Sequence, residues 1–195
     1  MNKALLIIIL VALSLATIHN STAQENRVLL NQDTWSLLGG GGMSHTSWGL
    51  TTEDVETIDL VLRYQHVLNR TIGRSWWQGN HEFWIELPLI DVIKPNSGGM
   101  VMMNFLVSWV FNASSTFQPY LFAGGGPLYT WADIEGVGSD LCGNYLGGGG
   151  FRIPFGVRWA FNLEARYHHI SNLGLAEPNV PINSSKFYSG LTFTF

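Results

Sequence analysis

Charge is scarce in this chain. Lysine, arginine, aspartate and glutamate make up 12% of its 195 residues, against about 25% in ordinary soluble domains. The net charge of −4 supplies no basic surface, so nucleic acid is excluded as a partner. Cysteine is scarcer still. Cys142 stands alone, which excludes an intramolecular disulfide framework; it reads as a small residue in a loop, not as a reactive thiol. Beyond the N-terminal segment, no apolar run approaches the ~20 residues of a membrane-crossing helix. The glycine runs at 39–42, 124–126 and 147–150 are followed neither by Gly-Lys-Ser/Thr nor by a helical pattern, which excludes a phosphate loop. They read as places of close backbone approach or tight curvature.

What is present begins with an export signal. Lys3 precedes an apolar run over 4–18, and Ser21-Thr22-Ala23 supplies small residues for cleavage. Residues 1–23 are therefore expected to be a secretory signal peptide. The apolar run is shorter than the ~20 residues a spanning helix needs, and no cysteine follows it to carry a lipid anchor. The remaining chain, 24–195, is expected to form one domain of roughly 170 residues. It is rich in aromatics, with 8 Trp and 11 Phe, and in glycine, with 22. An exported chain with many aromatics, few charges, no long apolar run and many alternating segments fits a transmembrane β-barrel.

Period-two alternation predicts eight strands, at 34–45, 56–69, 80–93, 100–112, 117–132, 143–153, 159–171 and 185–195. Ile58, Leu60, Leu62 and Tyr64 alternate with Thr57, Asp59, Arg63 and Gln65. Phe83, Ile85, Leu87 and Leu89 alternate with Glu82, Trp84 and Glu86. The expected fold is all-β: an eight-stranded antiparallel transmembrane barrel, whose strands need about 9–11 residues to cross. Asp59, Arg63, Glu82, Glu86, Glu164 and Arg166 would point inward and pair with one another. Apolar faces would meet lipid, with Trp and Tyr near strand ends as interfacial girdles. Phe187, Leu191, Phe193 and Phe195 share one face of the last strand. That ending resembles the C-terminal signal of bacterial outer-membrane barrels.

Residues 162–183 carry the chemistry. Asn162, Glu164, Arg166 and His168 fall on one face of a strand; Leu163, Ala165, Tyr167, His169 and Ser171 fall on the other. A His and a Ser two apart on one face are neighbours, the minimum arrangement for an activated serine nucleophile. Asn172 is a donor that could face a developing oxyanion. The plainer reading makes His169 an interfacial side chain, Ser171 the start of a loop, and Asn172, Gly174 and Asn179 turn residues. His168 belongs on the inward face with the polar network. His168 and His169 point to opposite faces and make no metal site. If the chain enters from the periplasm, the seventh strand ends at the extracellular surface. His169 and Ser171 would then meet the outer leaflet, which in a Gram-negative outer membrane is lipopolysaccharide.

His169-Ile170-Ser171-Asn172, followed by Gly174 and Pro178-Asn179, resembles the lipid A 3-O-deacylases, the acyloxyacyl hydrolase-like outer-membrane family. The specific resemblance covers about thirty C-terminal residues; the rest matches in length and pattern. It implies Ser171 as nucleophile, His169 as general base, and an oxyanion hole near Asn172, Gly174 and Asn179. It implies neither metal nor cofactor, and it makes lipid A the substrate, with outer-membrane lipid around the barrel. The family's acid is a Glu twelve residues after the serine; here that position is Asn183. An amide can orient the imidazole but cannot stabilise an imidazolium as a carboxylate does. Asn183, the loop residue Glu177, or an inactive site remain as alternatives. So does a non-catalytic barrel with a structural or surface-interaction role. Oligomeric state stays open.

Overall fold

A computed structural model describes residues 32–95, 98–111 and 117–195. The expected signal peptide at 1–23 and the start of the remaining chain at 24 lie outside the described residues. Eight hydrogen-bonded strands form a ring: β1 (Thr34–Ser44), β2 (Glu56–Ile72), β3 (Gly79–Lys94), β4 (Gly98–Met102 and Asn104–Phe111), β5 (Gln118–Thr130), β6 (Leu141–Phe155), β7 (Trp159–Ser171) and β8 (Ile182–Thr194). Each pairs antiparallel with its neighbours in the chain, and β1 with β8 closes the circle. Closure leaves no unpaired sheet edge, the condition for placing strands in lipid.

The interruption of β4 at Met103 has a local cause. The Met103 N–H donates to Pro127 O at 3.1 Å, but proline has no N–H to return. The register also sets Pro88 of β3 beside this point, between Leu87 and Leu89, which pairs with Val101. A second departure matters for the site. The alternation predicts β8 from 185, yet its ladder with β7 runs on to Ile170↔Ile182, so Asn183 lies within the sheet. The predicted span of β7 matches the observed one.

Burial follows the alternation. On β7 the inward residues Asn162, Glu164, Arg166 and His168 are buried. Arg63 donates to Glu86 at 2.6 Å and to Glu164 at 2.7 Å. Arg166 donates to Glu86 at 2.8 and 2.9 Å and also to Glu164. Two basic partners escaped the sequence reading: Arg152 bonds Glu82 and Lys186 bonds Asp59. Asp59, Glu82, Glu86 and Glu164 are thus balanced by Arg63, Arg152, Arg166 and Lys186. A balanced network is needed because an unpaired charge in this buried interior would cost several kcal/mol.

The loop end of the interior is apolar instead. Ile90, Val92, Met100, Met102, Leu128, Ile170 and Ile182 cluster there with Val55, Ile134 and Cys142. Cys142 is therefore not a loop residue. It is 2% exposed at the start of β6, where the inward alternation carries it into this cluster. Outward, Ile58, Leu60, Leu87, Leu89, Val107, Leu121, Leu163, Phe187 and Leu191 are exposed. Trp35–Tyr64, Trp77–Trp109 and Trp159–Phe193 ring pairs gather at the short-turn end. Trp48, Tyr145 and Tyr167 gather at the other. Two aromatic girdles bounding an apolar belt mark a transmembrane barrel.

Candidate functional site

The site sits on the outward face at the end of β7 and the start of β8. His169 and Asn183 are direct cross-strand partners, which brings their side chains together. His169 Nδ1 lies 2.7 Å from Asn183 Oδ1. The Tyr167 hydroxyl, two residues back on the same face, donates to the same oxygen. By parity Asn183 should be as open as Phe187, yet it is 5% exposed. The connection 45–55 between β1 and β2 folds over it. Asn183 Nδ2 donates to Trp48 O at 2.9 Å and Thr51 Oγ1 at 2.8 Å, and the Asn183 backbone N–H reaches Thr51 Oγ1 at 2.9 Å.

Aromatic rings frame the imidazole. Tyr145 stacks on His169 at 4.2 Å between centroids, with planes 19° apart. Trp48 leans on Tyr167 at 6.0 Å. A groove of about 540 Å³ runs among Trp48, Leu50, Tyr145, Tyr167, His169 and Pro181. Its lining is mixed: aromatic and aliphatic side chains stand beside Ser47, Asn183 and the imidazole.

Ser171 ends β7, half-buried and opposite Gly143. Having no side chain, Gly143 leaves room for Leu173, which a Cβ there would meet at 3.0 Å. Ser171 shares the outward face with His169 as predicted, but no hydrogen bond joins them among the described residues. Catalytic hydrogen bonds are commonly loose without substrate.

The residues expected near an oxyanion hole are together, but mostly engaged with one another. The Asn172 N–H donates to Asn179 Oδ1 at 3.0 Å. Asn172 Nδ2 donates to Ala176 O at 2.8 Å and Pro178 O at 3.0 Å. The Gly174 N–H donates to Asn172 Oδ1 at 2.9 Å. Gly174 has φ +76°, a conformation glycine adopts without strain. Asn172 thus serves as the internal brace of the 172–181 loop. Asn179 Nδ2 has no hydrogen-bond partner among the described residues.

Glu177 is exposed in that loop; the atom facing His169 Nδ1 belongs to Asn183. His168 points inward, with Nε2 3.3 Å from Asn144 Oδ1. Sequence reasoning missed the cage residues Trp48 and Thr51, and also Tyr145 and the second donor Tyr167. It also missed His45, whose Nε2 lies 2.9 Å from Ser185 Oγ on the same outward face. The parity of Tyr167 and Tyr145 put them on the outward face; nothing in the pattern tied Trp48 or Thr51 to Asn183. Among the described residues no cluster of three His, Cys, Asp or Glu side chains could hold a metal ion.

Ring closure, an apolar outside and a charged inside define a β-barrel of the outer-membrane type, with a His–Asn pair and a serine on its outer rim. The profile of the lipid A 3-O-deacylase (PagL) family matches residues 58–192, and the chain belongs to that family. The fold is similar to the crystal structure of the outer membrane enzyme PagL, with a TM-score of 0.59 at 15% identity, covering 82% of this chain and 99% of that one. It is also similar to Neisserial surface protein A, with a TM-score of 0.53 at 12% identity, covering 84% and 97%. A search of curated protein sequences returned no significant match.

Proposed function

We propose that this protein is an outer-membrane serine esterase that removes a 3-O-linked acyl chain from lipid A, with its site facing the outer leaflet. The observation that carries the reading is the His169–Asn183 pair at 2.7 Å, on the same outward face as Ser171, in a member of the lipid A 3-O-deacylase family. Loop length supports this orientation. The long connections 45–55, 131–140 and 172–181 lie at the site's end, where β3 and β4 also join by a short turn, while 73–78 and 156–158 lie at the other. Barrels of this type place long loops outside and short turns in the periplasm.

In the proposed reaction, Ser171 Oγ attacks the ester carbonyl while His169 Nε2 takes its proton. The carbonyl oxygen gathers negative charge, which Asn179 Nδ2, a side-chain donor without a partner among the described residues, would stabilise. Collapse breaks the bond to the sugar oxygen, which leaves as an alcohol with the proton from His169. Water, deprotonated by His169, then attacks the acyl-serine. Ser171 leaves with a proton and a fatty acid is released. No metal or cofactor enters these steps. Trp48, Leu50, Tyr145 and Tyr167 would hold the acyl chain beside the ester.

The test is mass spectrometry of lipid A incubated with the refolded protein in detergent, beside Ser171→Ala. Loss of one acyl chain with the parent alone is the expected result. Equal loss with both proteins removes Ser171 from the mechanism. No loss with either, from a folded barrel, supports a second reading as a non-catalytic barrel. The amide at 183, where the family's pattern has a glutamate, favours that alternative.

A further inference from the structure

We infer that the 45–55 loop selects a neutral amide at position 183, and that this amide locks His169 in the tautomer whose Nε2 is the free base. The inference deepens the esterase reading and, for its catalytic consequence, rests on it.

The argument starts from Trp48. A backbone carbonyl can only accept a hydrogen bond, and Trp48 O lies 2.9 Å from one end of the Asn183 amide. That end must be Nδ2. The opposite end is then Oδ1, which settles an assignment that amide shape alone leaves ambiguous. Oδ1 is itself only an acceptor, and it faces His169 Nδ1 at 2.7 Å. Nδ1 must therefore carry the proton. In a neutral imidazole the other nitrogen, Nε2, is then unprotonated, the form a general base requires.

The same cage rejects a carboxylate. An aspartate has the shape of asparagine, but its second oxygen would face Trp48 O at the 2.9 Å now spanned by N–H. Two acceptors would meet with no hydrogen between them, at a position 5% exposed. Burying an unmatched polar pair is costly. An isosteric carboxylate at position 183 is thus expected to weaken this site. Asn183 acts through His169 as a positioning residue, and the Tyr167 hydroxyl holds the same oxygen.

Two experiments test this. In the first, Asn183→Asp is compared with the parent and Ser171→Ala for lipid A deacylation across pH. The variant's folding is checked by heat-modifiable mobility. Expected are a tenfold or greater loss of Ser171-dependent activity and an acid limb moved to higher pH, because an anion beside imidazole favours the protonated ring. Activity at or above the parent's, with the acid limb unmoved, overturns the inference. In the second, the refolded protein carries 15N-histidine in detergent micelles at alkaline pH, with His169 signals assigned by their loss in His169→Gln. The Nδ1–H tautomer is expected in the parent and a mixture in Asn183→Ala. A dominant Nε2–H tautomer in the parent overturns the inference. This readout needs no turnover. If the parent shows no Ser171-dependent deacylation, the esterase reading falls and the spectrum alone decides the lock.

Discussion

At the scale of single residues, Asn172 shows a structural role beside the one expected of it. The residue type and its place after Ser171 suggested an oxyanion donor. Its amide instead makes three bonds that brace the 172–181 loop, and its side chain is 1% exposed with the rest of the residue. Asn172→Ala removes these bonds and leaves the Ala176 carbonyl and the Gly174 N–H without them, while Pro178 O keeps the Gly138 N–H at 2.8 Å; the cost is about 1–3 kcal/mol. Amide exchange at Gly174 and Leu175 is expected to quicken about tenfold or more, and Ser171-dependent deacylation to fall with it. Unchanged exchange would show that the loop holds without the brace. How much of this site was legible differs by residue. His169 and Ser171 were legible because strand parity is local. Asn183 was reached through a resemblance. Its cage was not legible: Trp48 and Thr51 lie 135 and 132 residues away in the chain, and no spacing rule spans that distance.

At the scale of the strand, the glycine run in β6 shows what alternation can and cannot say. Close backbone approach was the sequence reading, and it applies to some of these glycines only. A Cβ at Gly150 would meet Leu163 O at 2.3 Å and Tyr120 Oη at 2.7 Å. At Gly148 it would meet Ala165 O at 2.3 Å and Phe122 Cζ at 2.8 Å. Both fall on the inward parity, where the Tyr120 and Phe122 rings fill the narrow lumen. At Gly147, on the outward parity, the nearest atom is 3.7 Å away, an ordinary contact. Gly150→Val is therefore expected to abolish the compact, heat-modifiable form on refolding, while Gly147→Val retains it. Equal behaviour of the two would remove the steric account. The extension of β8 to Ile182 belongs to this scale as well. Polar Asn183 and Ser184 precede the strand expected from 185, but pairing with His169 and His168 makes them strand.

At the scale of the whole molecule, the barrel is held by a lumen whose charges balance and by a belt that faces lipid. Glu86 is the hub, accepting from both Arg63 and Arg166 in a fully buried setting. Glu86→Ala would leave the two guanidiniums with a surplus positive charge in the buried interior, since Glu164 alone remains to share them. Loss of one partner from such a network typically costs about 3–5 kcal/mol. Urea unfolding of the refolded barrel is expected to shift to lower denaturant by a corresponding amount. A shift below about 1 kcal/mol, the scale of an exposed ion pair, would mean that water reaches the network.

The sequence by itself determined the class. A two-residue period is a property of neighbouring residues, so it assigned inward and outward faces before any partner strand was known. Closure into a ring followed from strand number and the scarcity of charge. The tertiary structure alone decided which acids meet which bases, that the loop end of the lumen is apolar, and that Asn183 lies beneath the 45–55 loop. The reason is physical. Strand parity states which way a side chain points, but ring closure and loop docking determine what it meets, and those contacts join residues far apart in the chain.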